Sequence, residues 1–488
     1  MGAQFTAALQ LIADPGILLV VLLGAALGVF FGILPGIGGL TALALLLPFI
    51  YDMDPAAGLC FLVATHAAID SGGVVAAIMM GIPGSPANAA VIEDGFALKK
   101  EGRGLYAVGA ALMASVLGGL LSALLLAALL PLLQQIVLAF GSPEIFLIVL
   151  TGLVYMAVLG KGSLGKAVIA VGVGVFLSSV GYQRISGEPR FWFGLEYLLD
   201  GVRLIPLVLG LFAVPEILNL VTRKRTVRKT AGKESLRQLW QGAREVFRRP
   251  VLFFKSTLIG IMIGIIPGVG GETAPFLAYA AAKKKSAEKI VGVIAPECCN
   301  NAKEGGALVP TLALGIPGSA GMALLMSGFL ILGIEPGPRF IGDHMDIALG
   351  LAAALALANV LSAILVLPLA GYVARIVQIK GIILAPLLSA LVLFGTYASS
   401  HNPLDIAALL LCGMLGVAME RFGFSRPILI LSFILAPIIE TYLHISIQAY
   451  GWTMFGRPVF LALLVVLAGS IFGLRKKKDR TAADPEMK

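Results

Sequence analysis

Pro35-Gly36-Ile37-Gly38-Gly39-Leu40-Thr41 interrupts two apolar runs near the start of the chain, and it returns near the middle as Pro267-Gly268-Val269-Gly270-Gly271-Glu272-Thr273. A second motif, Gly81-Ile82-Pro83-Gly84-Ser85, recurs without change as Gly315-Ile316-Pro317-Gly318-Ser319. The two pairs keep their order and nearly their spacing, which marks an internal duplication. Proline lacks an amide hydrogen and glycine loosens the backbone, so each motif predicts a break in a helix.

The surroundings of the breaks set the class of the molecule. Of 488 residues, 58% are hydrophobic and 13% charged, with mean hydropathy +0.96; soluble domains carry about 25% charged residues. Many apolar stretches approach the roughly 20 residues that a helix needs to cross a bilayer. Alternation with a period of two is absent, which favours helices over a β-barrel. The expectation is an all-α polytopic membrane protein. Net charge is +9, with the basic residues in linkers and at the C-terminus, so they read as topology signals and lipid contacts and not as a nucleic-acid surface. Cys60, Cys298, Cys299 and Cys412 lack metal-site spacing and read as small packing residues. His344, His401 and His444 are scattered, and no P-loop or dinucleotide fingerprint occurs. No basic segment precedes the first apolar run, so no cleaved signal peptide is expected.

Charge places the loops. Residues 17–34 and 40–50 flank the first break, and residues 56–92 carry further predicted breaks at Ser71-Gly72-Gly73 and at Gly81 to Pro86. Lys99, Lys100 and Arg103 mark a cytoplasmic loop. Spans are predicted over 105–130, 143–160, 166–181 and 204–221. The linker from Thr222 to Pro250 has ten basic residues and is assigned to the cytoplasm; Leu236, Leu239, Trp240, Ala243, Val246 and Phe247 at helical spacing predict a surface amphipathic helix within it. Further spans are predicted over 346–370, 380–398, 404–419 and 427–444. An extra helix over 458–474 ends in Arg475-Lys476-Lys477-Lys478, placing the C-terminus in the cytoplasm. The organisation is thus a first repeat over 1–221, a linker over 222–250, a second repeat over 251–445, an extra helix within 446–474 and a tail over 475–488.

Charge signs exchange between the halves. Tyr51-Asp52-Met53-Asp54 is acidic where Lys283 to Lys289 is basic, and Lys99 to Arg103 is basic where the loop with Glu335, Arg339, Asp343 and Asp346 is net acidic. Matching loops therefore lie on opposite sides of the membrane, which predicts inverted-topology repeats as in many secondary transporters. Residues 251–282 enter and leave on the cytoplasmic side, and by symmetry 17–50 would do so from outside. Either segment is a re-entrant hairpin with the glycine break at its tip, or two complete crossings.

A helix break at membrane depth exposes amides at one half-helix start, fit for a carboxylate, and carbonyls at the other end, fit for a cation. The candidate substrate- or ion-binding residues are accordingly Pro35, Gly36, Gly38, Gly39 and Thr41; Gly81, Pro83, Gly84, Ser85 and Asn88; Pro267, Gly268, Gly270, Gly271 and Thr273; and Gly315, Pro317, Gly318 and Ser319. Intramembrane polar residues near them, His66, Asp70, Ser71, Asn300, Asn301 and Glu304, join the set. Lys303 beside Glu304 can equally neutralise it, and small residues can equally serve close helix packing. No metal ligand set and no catalytic residue is assigned. The rival reading is an intramembrane enzyme using Asp70, His66 or Glu304 on a lipid-soluble substrate.

The two glycine-break copies and the two Gly-Ile-Pro-Gly-Ser motifs, with the size and hydropathy of the chain, resemble the large membrane subunit of the tripartite tricarboxylate transporters, the TctA type. The resemblance covers nearly the whole chain. It implies a multi-pass protein of the bacterial inner membrane that imports citrate or another carboxylate by symport with Na+ or H+, with no other cofactor. It also implies two partners, a small membrane subunit of the TctB type and a periplasmic substrate-binding protein of the TctC type. Glu272 in place of Leu40 and Asn300 in place of His66 mark where the copies differ.

Overall fold

A computed structural model describes residues 2–34, 37–137, 140–159, 163–222, 235–266, 271–370 and 381–469. Pro35, Gly36, Pro267, Gly268 and Gly270, much of the linker, the basic turn before Lys380 and the C-terminal tail lie outside the described residues.

The described residues are predominantly helical. In order, α1 (Gly2–Ala13), α2 (Pro15–Ile33), α3 (Gly39–Leu46), α4 (Pro55–Met80), α5 (Ile92–Lys100), α6 (Gly104–Val137), α7 (Ser142–Leu159), α8 (Leu164–Ser178) and α9 (Leu204–Thr222) precede the linker. α10 (Arg237–Phe247), α11 (Pro250–Ile265), α12 (Ala274–Lys283), α13 (Val291–Leu314), α14 (Ala320–Ile331), α15 (Pro338–Asp343), α16 (Met345–Leu369), α17 (Gly381–Ala398), α18 (Leu404–Phe422) and α19 (Arg426–Tyr450) follow it, and α20 (Pro458–Gly469) closes the described chain. Among the described residues six helices are long and apolar enough to cross a membrane, so this is a multi-pass membrane protein. Between α8 and α9 lies a small antiparallel pair, β1 (Gly181–Tyr182) with β2 (Pro189–Arg190), in which Gly181 faces Arg190.

Local chemistry sets the ends of the central helices. Asp14 and Asp54 cap α2 and α4, each accepting two backbone N–H bonds and each followed by proline at the first helical position. α4 and α13 both stop at a left-handed glycine, Gly81 (φ +69°) and Gly315 (φ +67°), where a side chain would be strained. Ser319 caps α14 by accepting from the Met322 N–H at 3.2 Å.

Packing in the first half recurs in the second. α2 lies on α4 as α11 lies on α13; α16 lies on α4 as α6 lies on α13. α1 packs on α16 as α10 packs on α6, so the linker helix has an N-terminal counterpart. α9 pairs with α18 and α17 as α19 pairs with α8 and α7. α4 and α13 form the buried centre, and every residue of α13 from Val291 to Ala313 is buried.

α2 and α4 run parallel. Gly24, Gly28 and Gly32 face the carbonyl oxygens of Phe61, Thr65 and Ile69 in turn, so residues 34–54 must carry the chain back before α4 begins. α2 ends near the level of Gly73, whereas α4 runs on to Met80, about 10 Å further at helical rise. α11 and α13 repeat this, with Gly260 against the Cys299 carbonyl and Gly264 against that of Lys303. α2 with α3, and α11 with α12, thus flank a glycine break in each half, and α2 and α11 stop short of the end of the parallel helices α4 and α13.

Two sequence expectations need correction. α4 passes through Ser71-Gly72-Gly73 without a break. These glycines admit neighbours instead: a Cβ at Gly72 would come within 2.5 Å of the Val29 carbonyl oxygen, and one at Gly73 would strike the Asn88 side chain. With no water at that depth to replace its hydrogen bonds, the helix keeps them. α19 also continues to Tyr450, beyond the expected end at 444.

Candidate functional site

The turns of both hairpins and both serine-ended motifs meet at one cavity of about 190 Å³. It is lined by Gly38, Gly39, Leu40 and Thr41 at the start of α3, by Gly271 and Glu272 ahead of α12, and by Ser319, Ala320 and Gly321 at the start of α14. Ser85, Pro86 and Ala87 line it from the matching turn of the first half, and His66, Ile69, Asp70, Lys303 and Glu304 come from α4 and α13. The N-termini of α3 and α14 thus open on the space, each carrying the positive end of a helix dipole, and Gly271 and Glu272 reach it just ahead of α12.

α4 and α13 cross antiparallel here and exchange charge. Lys303 Nζ contacts Asp70 Oδ2 at 2.9 Å and also the Glu304 carboxylate. His66 Nε2 lies 2.8 Å from Glu304 Oε2. Lys303 thus pairs with its neighbour Glu304 and also joins α13 to Asp70 of α4. Ser85 Oγ lies 2.8 Å from both Asp70 Oδ1 and Asn88 Oδ1, and Asn88 Nδ2 donates to the Asp70 carbonyl at 3.1 Å. Behind this layer, Asn301 Nδ2 donates to Asn359 Oδ1 at 2.5 Å and to Ser71 Oγ at 3.4 Å, and Ser362 hydrogen-bonds Ser71 at 3.1 Å.

Of the residues named from sequence, Gly38, Gly39, Thr41, His66, Asp70, Ser85, Gly271, Glu304 and Ser319 face the cavity. Ser71, Asn88 and Asn301 support it from behind. Thr273 precedes α12, and Asn300 is buried with neither amide atom paired among the described residues. Gly81 and Gly315 are helix stops, with Pro83 and Pro317 following in the turns. Gly84 and Gly318 do not line the space; they seat the turns against Gly32 and Gly73, and against Gly264 and Ala307. Pro35, Gly36, Pro267, Gly268 and Gly270 lie outside the described residues.

Sequence reasoning missed the far wall. Phe212 and Glu216 of α9 and Arg426 at the start of α19 complete the lining. Arg426 donates to the Leu211 carbonyl at 3.2 Å, lies 3.4 Å from Glu420 Oε2, and stacks over the Phe212 ring at 5.5 Å. In sequence it ends a short basic turn, Arg421 to Arg426, of the kind that signals topology, and nothing local distinguishes it. A larger cavity, about 300 Å³, opens beneath the segment between α8 and α9 beside Arg190 and Glu440. None of its lining residues belongs to a duplicated motif, so the smaller cavity is the candidate site.

Comparison with known proteins identifies the family. The family model described as "Tripartite tricarboxylate transporter TctA family" matches residues 18–431. An uncharacterized 52.8 kDa protein in the TAR-I ttuC' 3'region of Agrobacterium vitis is 32% identical over 481 residues, covering 95% of each chain. An uncharacterized protein in the TAR-II ttuC' 3'region of the same organism is 32% identical over 242 residues, 46% of this chain and 100% of that one. No solved structure matches. The chain belongs to the tripartite tricarboxylate transporter TctA family.

Proposed function

We propose that this chain is the large membrane subunit of a secondary transporter that imports a small organic carboxylate with Na+ or H+, assisted by a small membrane subunit and a periplasmic binding protein. The observation that carries the reading is the meeting of the α3 and α14 N-termini with Lys303 and Arg426 at one cavity. The positive dipole ends, with the two side-chain cations, favour an anion there. At about 190 Å³, the cavity is smaller than the ~300–1,000 Å³ typical of drug-sized ligands, which suits a small acid better than a lipid.

The antiparallel crossing of α4 and α13 and the recurrent packing support two inverted repeats, and the charge pattern supports an inner-membrane protein with linker and C-terminus in the cytoplasm. The hairpins and α4 and α13 would form a moving core, with α7 to α9 and α17 to α19 as scaffold. The test is uptake of labelled citrate, a dicarboxylate and an aromatic acid in turn, into vesicles holding the chain and its partner subunits. Accumulation that collapses with the ion gradient is the expected result; product formation in detergent without a gradient would instead establish an enzyme. Arg426→Ala should weaken apparent substrate affinity roughly tenfold or more, from the ~1.5–3 kcal/mol of a charge-assisted hydrogen bond.

A further inference from the structure

Glu297, on α13, takes no part in the cavity and is fully buried. Its Oε2 accepts from Ser115 Oγ of α6 at 2.9 Å, while Oε1 has no hydrogen-bond partner among the described residues. One helical turn on, on the same face, Asn301 commits its Nδ2 to Asn359 and Ser71, and its buried Oδ1 is likewise without a partner there. Two buried acceptor atoms one helical turn apart, Glu297 Oε1 and Asn301 Oδ1, are thus without a hydrogen-bond partner among the described residues.

Charge points the same way. The buried side chains of α4 and α13 include three carboxylates, Asp70, Glu297 and Glu304, against one ammonium, Lys303. Lys303 is already engaged by Asp70 and Glu304, and even a protonated His66 would pair with Glu304. The charged groups acting on Glu297 are Asp70 of α4 and Lys303 of α13, with Ser115 of α6 and Asn88 beside it and the Cys298 and Cys299 thiols next along the chain. No cation contacts it among the described residues. An unpaired carboxylate in such a place costs several kcal/mol, so a positive charge must accompany it.

We propose that Glu297 and Asn301 hold the cation that is moved together with the substrate. A proton on Oε1 would donate to Asn301 Oδ1 and satisfy both oxygens; a sodium ion between the two would do so with hydroxyl oxygens of Ser115 and Ser71 near at hand. The site reaches the substrate cavity through Asn88, which lies beside Glu297 and bonds Ser85 and the Asp70 carbonyl. This inference rests on the transport reading above.

The experiment has two arms. In the first, purified full-length protein in detergent is assayed for 22Na+ binding by equilibrium dialysis and for proton uptake with an indicator dye. In the second, vesicles containing the partner subunits are assayed for gradient-driven accumulation and for substrate exchange at equal concentrations. Glu297→Gln should lower 22Na+ binding at least tenfold, which marks sodium, or remove one titrating proton without any sodium binding, which marks a proton. It should also abolish accumulation while exchange persists, and Asn301→Ala should weaken the cation step without abolishing it. Wild-type cation binding and accumulation in Glu297→Gln would overturn the proposal. If that variant yields no monodisperse protein, Glu297→Asp serves instead, and an unchanged cation affinity and titration would overturn it equally. Wild-type protein that exchanges no substrate in any gradient would remove the transport reading, while the binding arm still decides whether Glu297 holds a cation.

Discussion

Glycines of one motif do different work, and substitution separates them. Gly318 approaches backbone so closely that a Cβ would sit 2.6 Å from the Gly264 carbonyl oxygen and 2.7 Å from Ala307 Cα, and Gly84 is equally confined. Gly84→Ala and Gly318→Ala should each lose about 1–3 kcal/mol through overpacking, read as a lowered melting temperature in detergent. Gly38 has nothing within 4 Å of its Cβ direction and an ordinary extended backbone, φ −60° and ψ 153°. Gly38→Ala should therefore leave the melting temperature unchanged, and any fall in uptake would report on the ligand alone. Lys303→Met should be far more costly, roughly 3–5 kcal/mol, because Asp70 and Glu304 would be left buried without their shared cation. Adding Asp70→Asn to that variant should restore part of the loss in the same melting assay.

Among the elements, the hairpins owe their depth to glycine-mediated contact with a parallel, longer helix, and α10 owes its position to a mixture of forces. Leu239, Ala243 and Val246 are buried against α6 while Leu236, Trp240 and Phe247 stay exposed, an apolar edge suited to a membrane surface. Glu245 receives Arg248 at 2.8 Å and also contacts Arg249, which reaches Glu288 at 2.6 Å. Burial alone would raise the Glu245 pKa, but the two guanidiniums outweigh it and hold the carboxyl below its usual range. Its folded-state pKa is thus depressed, so its contribution is present above the ordinary carboxylate range and is lost as pH falls through the folded value. Glu245→Gln should cost about 1 kcal/mol at pH 7, and the melting-temperature difference from wild type should shrink steadily below pH 4.

At the scale of the whole molecule, the cavity lies where the hairpin core meets α9 and α19. Thr41 Oγ1 donates to the Phe212 carbonyl at 3.4 Å across that boundary, and Arg426 closes the same wall. If transport moves core against scaffold, a link across this contact must stop it. A cysteine pair at Thr41 and Phe212, in a background lacking Cys412, should lose uptake on oxidation and regain it with reductant. Uptake unaffected by a verified cross-link would exclude relative movement at this boundary.

Composition alone determined that the chain is a bundle of membrane helices, and the duplicated Pro-Gly and Gly-Ile-Pro-Gly-Ser motifs marked where helices stop, because stopping a helix is a property of a few consecutive residues. The same local reasoning misjudged Ser71-Gly72-Gly73, since glycine within a buried helix answers to what packs against it. Serines and glycines of the breaks were legible as site candidates for the reason that made them legible as breaks. Only the tertiary structure could bring Asp70 onto Lys303, place Arg426 opposite the hairpin turns and leave Glu297 Oε1 and Asn301 Oδ1 buried without a hydrogen-bond partner among the described residues. These depend on helices far apart in sequence crossing at one depth, where the low dielectric makes each charge demand a partner that no stretch of sequence can name.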